Sequence, residues 1–172
     1  PVIDRTRLFP HFVATPEVRY ENGHFRAWFT SCVGWKPEAD GAKHFYRLEY
    51  AESKDGINWE RDGTIAVNFR DEYEYALGVP RVLRDDDGYK MWFCSRATLD
   101  CPTYRIRYAT SNDGIRWKRH DDGREIEISR SGWDSQMICY PFVFDHAGNR
   151  YMLYNGNDYG KTGFGIAVLS DG

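Results

Sequence analysis

Two carboxylates, Glu74 and Asp134, stand in long polar segments that also carry Arg96, the amides of Gln136 and Asn157, and the acid Asp158. The same segments hold the rings of Trp35, Tyr75, Trp133, Tyr140 and Tyr159. This mixture suits a sugar, whose C–H faces lie flat on aromatic rings and whose hydroxyls bond to carboxylates and amides. Taken singly, Trp133 and Tyr140 fit a hydrophobic core as well as a binding wall, and Glu74 and Asp134 fit solvated loops.

An internal repeat positions these residues. The pattern Tyr-Arg-apolar-x-Tyr-Ala-x-Ser-x-Asp-Gly-Ile-x-Trp-x-Arg runs from Tyr46 to Arg61 and again from Tyr104 to Arg119. A second landmark opens each unit: Pro16-Glu17-Val18, Pro80-Arg81-Val82 and Pro141-Phe142-Val143, with 64 positions between the first two prolines and 61 between the last two. Apolar residues alternate inside the units, as at Phe25, Ala27 and Phe29 or at Tyr46, Leu48 and Tyr50, and no stretch keeps a helical period. Strands are therefore expected at 17–20, 25–30, 46–52 and around Trp59, then at 81–84, 89–94, 104–110 and around Trp117. In the third unit they fall near Phe142, at 150–154 and at 165–169. Four antiparallel strands in succession make a propeller blade, and repeats of this length fit one blade plus loop insertions. The fold class is all-β: about three consecutive four-stranded blades, spanning about 14–61, 78–119 and 139–172 of a single propeller domain.

Following the chain through such blades puts the Asp-Gly turns at 55–56 and 113–114 on one face, as hairpin-type turns in which Gly supplies a positive φ and Asp tolerates one. The other face collects the segments 4–15, 31–45, 62–79, 96–103, 120–140 and 156–162, which are read as loops. Long loops on one end of a rigid scaffold are where function usually sits. Gly56, Gly114 and Gly172 are spaced by 58 residues, so the last of them falls where a third Asp-Gly turn belongs. Three blades leave sheet edges that a closed ring would cover, and the sequence reads as a piece of a longer protein whose missing blades are its first partner.

Composition adds exclusions. The net charge is slightly negative, at −3, and basic residues such as Arg105 and Arg107 alternate along a strand among acids, so no nucleic-acid partner is expected. No apolar run is long enough to cross a membrane. Cys32, Cys94, Cys101 and Cys139 have no metal or redox spacing and read as thiols, with a Cys94–Cys101 bridge as the open alternative. The five histidines are scattered, and neither metal nor cofactor is expected.

The run Thr15-Pro16-Glu17-Val18 through Asn22-Gly23 to Trp28-Phe29-Thr30-Ser31, copied at Pro80 through Gly88 to Trp92-Phe93-Cys94-Ser95, resembles the blade opening of five-bladed propeller glycosidases related to arabinanases and β-fructosidases. The likeness covers nearly the whole chain and rests on scaffold landmarks. It implies a carbohydrate partner and inward carboxylates at successive blade openings. Glu17 then stands where an acid-orienting residue is usual. The position of the general acid, two residues before the next proline, is occupied by Gly78, and glycine cannot protonate a leaving group. Two functions follow. One is glycosidic bond hydrolysis or phosphorolysis, with Glu74 and Asp134 as acid and base, Glu17 as modulator, and Arg81 or Arg96 holding hydroxyls or an anion. The alternative is a carbohydrate-binding propeller that has lost its acid. For the enzyme, Glu17, Glu74, Arg81 and Asp134 are expected to converge on one cleft.

Overall fold

The computed structural model describes residues 1–39, 41–122 and 125–169. Three blades follow one another. The first contains β1 (Val13–Glu21), β2 (His24–Glu38), β3 (Gly41–Ser53) and the short outer strands β4 (Trp59–Glu60) and β5 (Ile65–Val67), both paired with β3. The second contains β6 (Glu74–Asp85), β7 (Gly88–Ala97), β8 (Arg105–Ser111) and β9 (Lys118–His120). The third contains β10 (Cys139–His146), β11 (Asn149–Asn155) and β12 (Phe164–Val168). Neighbouring strands within a blade are antiparallel, and the sheets of the first two blades are joined by a single parallel pair, Tyr46 with Ala76. The expected third Asp-Gly turn at Gly172 lies outside the described residues.

The strands β1, β6 and β10 lie side by side as the inner edges of the blades. Arg81 in β6 reaches back to Glu17 in β1 at 3.1 Å and forward to the carbonyl of Val143 in β10 at 3.1 Å. Each inner strand carries the same defect at its proline. Register shifts interrupt the pairing between Ala14 and Glu17, Gly78 and Arg81, and Cys139 and Phe142. Proline has no N–H for the ladder, so a bulge forms where it enters the strand. The residue before each proline, Thr15, Val79 or Tyr140, takes a left-handed backbone with φ of 47°, 53° or 57°. A β-branched residue such as Val79 is strained there by about 1–3 kcal/mol.

Between blades one and two the core consists of Trp28, Leu48 and Tyr50 packed on Val82, Met91, Phe93 and Ala109. Between blades two and three it consists of Ile106, Val143, Met152 and Tyr154, with Trp92 against them. Trp28 Nε1 also donates across the first boundary to the carbonyl of Gly114 at 2.7 Å.

The Asp-Gly turns are structural, with one change of mechanism. Gly56 and Gly114 carry the positive φ, 75° and 73°, but the aspartates do not. Asp55 and Asp113 instead accept backbone N–H groups two and three residues on, at 2.7–2.8 Å. Trp59 and Trp117 close the same turns by donating to the glycine carbonyls at 3.0 Å. A larger correction concerns residues 31–45, which form no loop. They are the far half of the β2–β3 hairpin, paired as far as Glu38 with Gly41. Alternation fades there because both faces of an overhanging ribbon are wet, so the pattern that marks a half-buried strand is missing.

Candidate functional site

The three proline bulges gather at one end of the arc, and a cavity of about 280 Å³ opens among them, lined by Thr15, Thr30, Gly78, Val79, Tyr46, Tyr104 and Tyr140 together with Phe12, Ala14 and His44. A second cavity of about 280 Å³ adjoins it through His44 and Tyr46, and takes in Glu38, Lys43, Tyr75 and Arg96. The hydroxyls of Tyr46 and Tyr104, equivalent residues of the repeat, are bonded to each other. Burial raises the pKa of both, and it pushes Tyr140 up to about 12, so the wall stays neutral phenol through the physiological range.

The walls are aromatic because three elements bring rings to the same place. Tyr140 and Tyr159 stack at 6.1 Å and both approach Tyr104. Tyr159 is delivered by a left-handed turn, Asp158 and Tyr159 having φ of 51° and 60°. Arg96 ends β7 between the rings of Tyr75 and Tyr104, 5.5 Å and 5.2 Å from their centroids. Its Nε and Nη2 donate to the carbonyl of Pro102, and among the described residues no carboxylate lies within ion-pair distance of it. Burial works against its charge, but electrostatic interaction with Tyr75, Tyr159, Tyr104 and Tyr46 outweighs this and raises its pKa. Lys43 also lies over Tyr75, 4.1 Å from its ring centroid, and donates to Thr98 Oγ1 at 2.8 Å. The site therefore offers flat rings, hydroxyls and two cations, one of which, Lys43, is paired with Glu38 at 3.7 Å.

The structure distributes the residues picked from the sequence over several places. Arg96 and Tyr140 line the cavities, as does Gly78, at which an added Cβ would stand 3.0 Å from Thr30 Oγ1. Trp35 is exposed on the hairpin overhang, edge-on to His44 with ring centroids 4.6 Å apart. Glu17 and Arg81 meet each other as an ion pair between inner strands. Glu74 is buried away from the cavities, where four donors hold it: Arg119 through both terminal nitrogens at 2.6 and 3.0 Å, the backbone N–H of Arg70, and Ser95 Oγ. Asp134 is buried in blade three, accepting from Tyr154 at 2.9 Å. Burial, then this carboxylate, push Tyr154 up to about 12. Glu74 and Asp134 share no hydrogen-bond partner among the described residues, and neither lines the two cavities.

The third-blade residues brace a loop. Trp133 stacks on Tyr154 at 5.3 Å, so close to the backbone that a Cβ on Gly156 or Gly165 would lie 2.4 or 2.3 Å from its ring. Asn157 Oδ1 accepts the N–H groups of Gln136 and Met137, and its Nδ2 donates to Gly132. The side chains of Gln136 and Asp158 are exposed or nearly so beside that brace. Sequence reasoning passed over Tyr46, Tyr104, Lys43 and His44. The first two head the repeated motif and read as landmarks, although their place at the same point of two blades is what lets their hydroxyls meet. All four cysteines are buried free thiols, so Cys94 and Cys101 are not bridged. Among the described residues no His, Cys, Asp or Glu cluster could hold a metal, and no helix is long and apolar enough to cross a membrane.

No protein-family model matches the sequence. An uncharacterized protein of Mycobacterium tuberculosis is 40% identical over 171 residues, covering 99% of this chain and 55% of that protein, so the chain spans about half the length of this relative. A 1,2-beta-oligomannan phosphorylase of a Thermoanaerobacter species is 35% identical over 102 residues, 58% of this chain and 34% of the phosphorylase. Among solved structures, a family 117 glycoside hydrolase of the marine bacterium Zobellia galactanivorans superposes with a TM-score of 0.71 at 15% identity, over 98% of this chain and 56% of that one. A thermostable family-43 glycoside hydrolase superposes with a TM-score of 0.61 at 16% identity, over 83% of this chain and 41% of that one. The strand order, the proline bulges and these superpositions agree: the chain has the β-propeller fold of the five-bladed glycosidases that its repeat landmarks resemble.

Proposed function

We propose that the chain supplies the saccharide-contacting wall of a glycosidase-like propeller that cleaves glycosidic bonds, with phosphorolysis favoured over hydrolysis. The observation that carries this reading is Arg96, a cation held near the rings of Tyr75 and Tyr104 with no ion-pair partner among the described residues, next to Lys43 and beside a sugar-sized aromatic cavity. Orthophosphate brings its own nucleophilic oxygen, so a phosphorolytic site needs a cationic seat where a hydrolase needs a second carboxylate. The name of the Thermoanaerobacter relative supports the same choice, and makes a 1,2-linked oligomannan the first saccharide to try. In this reading Glu17, tied to Arg81, tunes the site from the inner strand, while Glu74 and Asp134 hold the blades in shape.

Gly78 favours the second reading, a binding propeller without catalysis, because it lines the cavity at the position the resemblance gives to the general acid, and no carboxylate among the described residues lines that cavity with it. Incubation with a 1,2-linked mannooligosaccharide, with and without orthophosphate, separates the two by the products. Sugar 1-phosphate formed only with phosphate is the expected result. Saccharide binding without any product would favour the binding propeller, and neither binding nor product would remove both.

A further inference from the structure

The first two blades diverge between matching landmarks. Cys32 and Tyr46 are equivalent to Arg96 and Tyr104, yet 14 positions separate the first two and 8 the second, so blade one carries six additional residues. In blade two the shorter link folds back on itself, the N–H of Ala97 donating to the carbonyl of Cys101 at 2.8 Å. In blade one the longer link is the overhang of β2 and β3, paired from Gly34 with Phe45 out to Glu38 with Gly41. This overhang presents Trp35, 56% exposed and the most open of the six tryptophans, whereas Trp28 lower in the same strand is fully buried.

Trp35 stands at the end of a run of rings. Its ring centroid lies 4.6 Å from that of His44, its partner across the hairpin, and 6.2 Å from that of His11. His44 meets Phe12 at 5.7 Å and Phe12 meets Tyr46 at 5.9 Å, so rings follow one another from the overhang to the tyrosine wall. Phe12, His44 and Tyr46 line the bulge cavity, and Trp35 lies outside it. Both imidazoles are partly buried, and neither has a hydrogen-bond partner among the described residues. Polar groups withdrawn from water normally have partners, so these ring nitrogens are available to a ligand.

We propose that Trp35, flanked by His11 and His44, is a second saccharide subsite, which takes a distant unit of a chain whose other units lie on the tyrosine wall. The inference rests on the saccharide reading above and adds a length requirement to it: long oligosaccharides are preferred to short ones. An indole gives the C–H face of a sugar a large flat surface, and an imidazole donates to and accepts from its hydroxyls. Each ring-to-ring step is comparable with one sugar unit, so a disaccharide held at Tyr46 and Tyr104 falls short of Trp35 while a longer chain reaches it.

The test is calorimetric titration of the 172-residue chain with 1,2-linked mannooligosaccharides, from the disaccharide to the hexasaccharide. Wild-type affinity should rise at least about tenfold from the shortest to the longest, the scale of one tryptophan anchor. Trp35→Ala should lose at least about tenfold more affinity for the hexasaccharide than for the disaccharide, and Trp35→Phe, which keeps a flat ring, should retain most of the gain with length. Both variants should melt within about 2 °C of wild type, because the side chain is exposed. Affinity independent of length, or a Trp35→Ala variant that weakens every length equally, would overturn the second subsite and leave the saccharide reading standing. Binding of no length at all would remove that reading, and this inference with it.

Discussion

Arg119 and Arg96 belong to the same blade and are put to opposite uses. Arg119 is answered by charge: Glu74 takes both its terminal nitrogens, and Asp121 adds a contact at 3.1 Å. Its repeat equivalent, Arg61, is answered in the same manner by Glu49 at 3.0 Å, with the ring of Phe9 beneath it at 4.2 Å. Arg96 has no such equivalent, since its repeat position is Cys32 in the first blade and Asn157 in the third. It is met by rings and one carbonyl. A charge that recurs with the repeat and is paired belongs to the scaffold. One that breaks the repeat and is left unpaired is available to a ligand.

The comparison breaks most visibly at the clamp. Glu74→Ala leaves the buried Arg119 with only the single contact to Asp121 and should cost about 3 kcal/mol in denaturant unfolding, the low end of the usual penalty for breaking a buried ion pair. Replacing both residues by apolar ones of similar size should recover most of it. A loss below about 1 kcal/mol for Glu74→Ala would show that the clamp is not scaffold.

A smaller effect sharpens the contrast through pH. Asp85 bonds Arg150 through both oxygens and Lys90 at 2.5 Å, and these cations hold its pKa down at about 2 against burial. A carboxylate with a lowered folded pKa stabilises fully above its unfolded value, near 4, and loses that contribution as pH falls through the folded value. Stability should thus fall by about 2 kcal/mol between pH 5 and pH 2 on account of this group. Asp85→Asn should flatten that part of the curve, as followed by urea unfolding at several pH values.

Smaller still is the strain at the bulges. Val79→Gly removes a β-branched side chain from a left-handed backbone, and should change stability by less than about 1 kcal/mol, relief of strain opposing the entropy gained by the unfolded chain. Thermal melting checks it, and a large loss would mean that the valine packs more than it strains.

The scaffold was legible because it repeats. Prolines, Asp-Gly turns and Trp-x-Arg endings at fixed spacing gave the blades and their order. The overhang of β2 and β3 was not legible, since successive residues such as Trp35, Lys36, Pro37 and Glu38 point to opposite faces and both faces are wet. The site was harder for a related reason. Glu74 and Asp134 looked chemical as isolated letters, while their partners, Arg119 and Tyr154, lie 45 and 20 residues away in sequence. Arg96 was found from its segment, but that no carboxylate among the described residues pairs with it is a property of the folded chain. Tyr46 and Tyr104 were hidden by the regularity that revealed the fold.

The most direct test is calorimetric titration of a 1,2-linked mannooligosaccharide, with orthophosphate present and absent, into the wild-type chain, Arg96→Met and Tyr46→Phe. Removing Arg96 should leave the melting temperature within a few degrees, as for residues outside the core, yet abolish any gain in saccharide affinity due to phosphate and weaken binding at least about tenfold. Tyr46→Phe should weaken binding less and keep the phosphate dependence. Saccharide binding by Arg96→Met with the wild-type affinity and the wild-type response to phosphate would contradict the assignment of the unpaired arginine to the ligand.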